Sequence, residues 1–143
     1  MNYIGIDLGT SSIKGLLVTE KGKILNEASY MYDVSYPAPN YSEQNPEDWI
    51  TGLKYVLNKL CDNVRNTIGG ISFGGQMHGL VILDENDKVI RPCIVRCRKH
   101  MSRQLETVCV KLFTHCFFYL IDKIFNAVKY SKSDARICVF NAL

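Results

Sequence analysis

An aspartate that closes a short apolar run and is followed at once by Gly-Thr-Ser-Ser sets one carboxylate beside residues small enough for a phosphate to approach the backbone. In this arrangement Asp7 could hold a divalent metal ion or one of its waters, and Gly9, Thr10 and Ser11 could receive phosphoryl oxygens on their amides and hydroxyls. Phosphoryl transfer asks a protein for alignment, charge neutralisation by Mg²⁺ and a base for the attacking hydroxyl. Residues 7–12 could supply the first two. Taken alone, the same residues also make an ordinary hairpin turn closed by an Asx-type hydrogen bond. A second group is Gly74-Gly75-Gln76-Met77-His78-Gly79, where glycines flank three adaptable side chains. Gln76 and His78 can hydrogen-bond hydroxyls and Met77 can lie against a carbon skeleton, which suits a sugar-sized polyol. The alternative is a glycine-rich bend with a core methionine and a surface histidine.

Elements able to position both groups surround them. Asn2 to Leu8 alternates as a strand, residues 9–12 turn the chain, and Ile13 to Val18 is a second strand. Lys21-Gly22-Lys23 marks the next turn and Ile24 to Val34 a third strand, a three-stranded antiparallel meander that Pro37 and Pro39 end. Asn45-Pro46-Glu47-Asp48 predicts a helix start: a capping side chain, a proline suited to the first helical position and two acids at the positive end of the dipole. Trp49, Ile50, Leu53, Val56, Leu57 and Leu60 then give one apolar face, predicting a helix from about Pro46 to Cys61 lying on the sheet. Thr67 to Phe73 reads as a further strand that delivers Gly74, followed by Leu80 to Leu83, a polar turn at residues 84–88 and Val89-Ile90. The expectation is an α/β layer with one mixed sheet.

Composition places limits on what this layer can serve. With 143 residues, 47% of them hydrophobic and 22% charged, the chain has the length of one ordinary domain and is not disordered throughout. A net charge of +3 implies no polyanion partner, so nucleic acid is not expected. The Met1 start lacks the basic and apolar regions of a secretory signal, Asp7 interrupting the first apolar run, so a cytoplasmic setting is expected. The six cysteines include no C-x-x-C pair, and the longest apolar stretch, Leu112 to Ile121, is about half a membrane span. The average conceals a break near residue 95. All glycines and prolines precede it, and the balance of charge changes from −3 in residues 1–95 to +6 in residues 96–143. This second segment is basic and rich in Cys and Phe, and apolar residues from Leu105 to Val128 at spacings of three and four predict a long amphipathic helix.

Four segments in order, M-N-Y-I-G-I-D-L-G-T-S-S-I-K, S-E-Q-N-P-E-D-W, I-S-F-G-G-Q-M-H-G-L-V-I-L-D and R-P-C-I, resemble the amino-terminal part of FGGY-family carbohydrate kinases, nearest to the xylulokinases. The resemblance covers residues 1 to about 95. It implies a ribonuclease H-like fold of the actin and hexokinase type, and phosphorylation of a ketopentose such as D-xylulose by ATP with Mg²⁺. It further implies that Asp7, Gly9, Thr10 and Ser11 face the ATP phosphates, with Asp7 toward the metal, and that Gln76, Met77 and His78 line the sugar site. Small-molecule sugar is the partner so implied.

The chain also departs from that family. After Arg91-Pro92-Cys93-Ile94 the family continues with a hydrophobic residue, Trp and an Asp-x-Arg segment, whereas this chain reads Val95-Arg96-Cys97-Arg98-Lys99-His100. A cation at position 98 in place of a carboxylate removes an acceptor from the sugar wall. The family's general base lies further downstream, and neither Asp122 nor Asp134 stands in a matching context, so no catalytic residue is assigned. Two functions follow as expectations. One is a xylulokinase-like kinase present as a truncated, incomplete or inactive form, with a tail such as a frame-shifted or fused reading frame produces. The other is a non-catalytic relic or interaction module with weak sugar affinity. A chaperone-type ATPase shares D-x-G-T but not the G-Q-M-H-G segment.

Overall fold

Alternation of apolar and polar residues builds the first strands. In β1 (Asn2–Leu8) the side chains of Ile4, Ile6 and Leu8 are buried while Tyr3, Gly5 and Asp7 on the other face are exposed. The pattern repeats in β2 (Ser12–Thr19), where Ile13, Gly15 and Leu17 are buried and Lys14 and Leu16 are exposed. β3 (Ile24–Met31) completes the meander as the edge strand. The computed structural model describes residues 1–39, 41–62, 64–75, 88–97 and 136–139, with Val81, Asp84 and Asn86. The expected third strand, Ile24 to Val34, stops at Met31 because Tyr32 leaves the sheet edge and turns its ring inward, where it is buried.

The helix forms where its cap demands. In α1 (Pro46–Leu60) the Asn45 side chain accepts a hydrogen bond from the Glu47 amide at 3.2 Å, Pro46 opens the first turn, and the Cys61 amide donates to the Leu57 carbonyl at the other end. Trp49, Leu53, Val56, Leu57 and Leu60 are buried against the Ile4, Ile6, Ile13 and Leu17 face of the sheet. Two glycines set how closely these layers approach. A Cβ on Gly15 would stand 2.5 Å from Val56 Cγ1, and one on Gly52 would stand 2.6 Å from Tyr30 Cδ1, so sheet and helix touch backbone to side chain.

After one turn of 3-10 helix at Arg65–Thr67 the chain enters β5 (Ile68–Gly75), which pairs parallel with β1 from Tyr3↔Gly70 to Leu8↔Gly75. Two short strands escape the sequence reading: β4 (Tyr41–Gln44) and β6 (Cys93–Cys97), an antiparallel ribbon in which Gln44 pairs with Cys93. A final strand, β7 (Arg136–Val139), adds parallel to β5, with Gly70↔Arg136 and Phe73↔Val139. The five-stranded sheet thus runs β3-β2-β1-β5-β7. The segment expected to be a helical tail from residue 96 therefore begins in a strand and contributes another to the main sheet. The helix expected over Leu105 to Val128 lies outside the described residues.

Candidate functional site

Parallel strands end together, and ligands of open α/β sheets gather at that edge. The parallel pairing of β1 and β5 sets Asp7 beside Gly74 and Leu8 beside Gly75, so the first two glycines of the second sequence group meet the first group at the carboxyl ends of adjacent strands. On the other side of Asp7 its cross-strand partner is Lys14 of β2. Directly opposed residues of an antiparallel pair project from one face, with Cβ atoms about 5 Å apart. Both therefore stand on the face away from α1, and both line an open groove of about 700 Å³ together with Gly5, Leu16, Glu27 and Ser72. Among the described residues no ion pair engages Asp7 or Lys14. The sequence reading gives Lys14 no role, placing it only within the Ile13 to Val18 strand, whereas the pairing sets it opposite Asp7 at the groove.

The turn between β1 and β2 follows at the end of these two strands, beyond Asp7 and Lys14. Its hydrogen bonds all involve its carbonyls. The Gly9 amide donates to the Ser12 carbonyl at 2.9 Å, the Tyr32 amide to Ser11 at 3.1 Å, the Tyr32 hydroxyl to Gly9 at 2.5 Å and the Gln44 side-chain amide to Thr10 at 2.5 Å. Thr10 and Ser11 are exposed, and their amides meet no acceptor among the described residues. Gly9 suits a close approach, since a Cβ there would come 3.1 Å from the Ser12 carbonyl oxygen. Burial, with Asp7 nearby as a smaller contribution, pushes the Tyr32 hydroxyl up to about 12, which keeps it a proton donor across the neutral range.

A third and a fourth segment join the same edge. Gln44 ends β4, one residue before the helix cap, and reaches the turn from there. The neighbouring Glu43 carboxylate accepts from the Arg91 guanidinium at 2.6 Å, tying S-E-Q-N-P to R-P-C-I. With Arg91 45% exposed the pair adds little stability, and its effect is to fix the register of the ribbon. All four sequence segments thus converge on one end of the sheet. Of the expected site residues, Asp7, Gly9, Thr10 and Ser11 are brought together there, while Gln76, Met77 and His78 lie outside the described residues, which approach them as far as Gly75.

A sequence model of the N-terminal domain of the FGGY family of carbohydrate kinases matches residues 2–118 of this chain. The chain belongs to that family. The match runs past the composition break near residue 95, so family character reaches further than the four motifs suggest. The FGGY chain is 42% identical over 116 residues to a xylulose kinase of Lactococcus lactis, covering 78% of this chain and 23% of that one. It is 48% identical over 99 residues to a xylulose kinase of Bacillus subtilis, covering 66% and 20%. The crystal structure of xylulose kinase from Rhodospirillum rubrum superposes with a TM-score of 0.62 at 31% identity, covering 66% of this chain and 20% of that one. The FGGY chain thus spans about a fifth of the length of the relatives it matches, and its α/β fold is of the actin and hexokinase type.

The donor set fits a loosely held Mg²⁺ rather than a caged metal. Among the described residues no three His, Cys, Asp or Glu side chains cluster to form a cage, and Asp7 alone stands at the turn. Mg²⁺ in phosphate sites commonly keeps several waters and takes one or two carboxylates plus phosphate oxygens, which is what a single Asp7 can offer. Among the described residues no helix is long and apolar enough to cross a membrane.

Proposed function

We propose that this FGGY chain carries the phosphate-binding wall and the start of the sugar-binding wall of a xylulose kinase-like enzyme that transfers the γ-phosphoryl group of ATP to a ketopentose such as D-xylulose. The observation that supports this most is the parallel β1–β5 pairing, which stands Asp7 and the Gly9–Ser12 turn beside Gly74-Gly75. In this reading the amides and hydroxyls of Thr10 and Ser11 donate to phosphoryl oxygens, and Lys14 offsets their negative charge from the groove. Asp7 holds a hydrated Mg²⁺, which when bound neutralises charge on the phosphates. Gln76 and His78 accept and donate to sugar hydroxyls, and Met77 packs on the carbon chain. The setting is cytoplasmic, where ATP and free sugar meet.

Alignment and charge neutralisation are thereby half-built, and no residue is assigned to take the proton of the attacking hydroxyl. These 143 residues by themselves do not turn over D-xylulose at a useful rate. A coupled ADP-release assay on the purified chain tests this, and turnover within about tenfold of the roughly 10 per second typical of enzymes would contradict it. Binding is tested apart from turnover by titrating MgATP into the ¹⁵N-labelled chain. Shifts centred on Gly9, Thr10 and Ser11, weakened by Lys14→Ala, are expected. Shifts elsewhere, or a response indifferent to Lys14→Ala, would refute the assignment.

A further inference from the structure

We infer that Tyr32 and Gln44 are positioning residues that hold the carbonyls of the Gly9–Ser12 turn inward and so present its amides outward to phosphate. This deepens the proposed function and rests on that reading of the turn.

In a trans peptide the carbonyl of one residue and the amide of the next point in opposite directions, so fixing one fixes the other. The Tyr32 hydroxyl holds the Gly9 carbonyl, which directs the Thr10 amide away from it. The Gln44 side-chain amide holds the Thr10 carbonyl, which directs the Ser11 amide away likewise. Those are the two amides that meet no acceptor among the described residues. Two further bonds, Tyr32 amide to Ser11 and Gly9 amide to Ser12, leave none of the four turn carbonyls unpaired.

Both donors come from far along the chain, 23 residues from Gly9 and 34 from Thr10, and both are buried, at 8% and 3% exposure. A buried donor cannot be exchanged freely for water, so the turn is held against alternatives that a solvated Thr-Ser hairpin would sample. Both are also uncharged. A lysine or arginine in either place would hold the carbonyls equally well but would put a cation behind the turn, while an acid would repel both carbonyl and phosphate. A neutral clamp leaves the charge of the phosphate to be met from the front, by Lys14 and by a Mg²⁺ that Asp7 would hold.

The test compares the full 143-residue chain with Tyr32→Phe, which removes only the hydroxyl, with Gln44→Glu, which keeps the shape and removes the donor, and with Tyr55→Phe at an exposed position of α1 as control. Amide order parameters of Thr10 and Ser11 are measured without ligand, and the MgATP affinity is measured by their shifts. In the first two variants the order parameters should fall from about 0.85 to below about 0.6. The MgATP affinity should fall about tenfold, the loss of roughly one net hydrogen bond. The control should match wild type. A role confined to general stability would lower the melting temperature without loosening these two amides. Unchanged order in Tyr32→Phe and in a folded Gln44→Glu overturns the clamp whatever MgATP does, and so does a loosened turn that binds MgATP as well as before. Wild-type Thr10 and Ser11 amides that ignore MgATP would refute the phosphate reading instead, and the order parameters would still decide the clamp.

Discussion

Replacing Gly15 by alanine puts a methyl group into a contact that has no room for it. The new Cβ would lie 2.5 Å from Val56 Cγ1, 2.7 Å from Leu60 Cδ1 and 3.0 Å from Ile6 Cδ1, against the ~3.5–4.0 Å of an optimal carbon contact. Val56 is β-branched and fully buried, so it cannot swing aside; α1 must lift from the sheet by several tenths of an ångström. Overpacking of this kind costs about 1–3 kcal/mol, from which about 0.4–1 kcal/mol returns through the stiffer unfolded chain. A net loss of roughly 1–2 kcal/mol should lower Tm by about 3–8 °C in a chain of this size. Gly5→Ala is the comparison. It stands on the open face of the same sheet with nothing within 4 Å of its Cβ, so it should leave Tm unchanged or raise it slightly. Urea and thermal unfolding of both variants measure the difference. Equal losses in the two would refute the assignment of faces, because Gly5 would then also be covered.

Leu53→Ala, at the centre of the α1 face with 1% exposure, should cost about 2–5 kcal/mol in urea unfolding through the cavity it leaves. The Tyr32 hydroxyl gives a pH signature: its ordinary value is 10.0 and the fold raises it to about 12. The neutral form is favoured in the folded state, so no stability is lost to this group below about pH 10, and roughly 2–3 kcal/mol is lost as pH rises from about 10 through about 12. Tyr32→Phe cannot titrate, so it should start about 1 kcal/mol less stable at pH 8, match wild type at about pH 11 and be the more stable of the two by about pH 12, as followed by denaturant midpoints. For the sugar wall, ligand-observed NMR should show D-xylulose binding in the millimolar range, about −4 kcal/mol, lost in His78→Ala but kept in Cys138→Ala. Equal binding by both variants, or an equal response to a disaccharide, would reduce the G-Q-M-H-G segment to a bend.

Legibility followed locality. Asn2–Leu8, the turn and the α1 cap were readable because alternation, Gly-Thr-Ser-Ser and Asn-Pro-Glu-Asp act within a few residues of themselves. β4 and β6 were not, since a strand of four residues between prolines and a helix cap carries no period, and its partner lies some fifty residues away in sequence. The end of β3 was misplaced because Tyr32 and Val34 continue an apolar run, yet the Tyr32 hydroxyl is drawn to Gly9. β7 had no glycine or proline to announce it. In the site, the Asp7 turn announced itself by composition. Lys14 did not, because only the pairing with Asp7 gives it a place. Gln44 was hidden by its neighbours: it directly precedes Asn45-Pro46-Glu47-Asp48, which reads as a helix start, and nothing in that reading sends the glutamine side chain to Thr10.

In the proposed function the phosphate turn and the Gly-Gly-Gln-Met-His segment are two walls of one cleft at the carboxyl ends of β1 and β5. Paramagnetic broadening by Mn²⁺·ATP tests it most directly, because the effect falls with the inverse sixth power of distance. β1 is seven residues long, so its two ends are separated by roughly 20 Å. Bound at the turn, Mn²⁺ should broaden the amides of Thr10, Ser11, Gly74, Gly75 and His78 strongly while sparing Asn2, Glu20 and Thr67 at the opposite end, and Mg²⁺·ATP should restore the lost signals. Broadening centred on Asn2, Glu20 and Thr67, or spread evenly over the chain, would contradict the account.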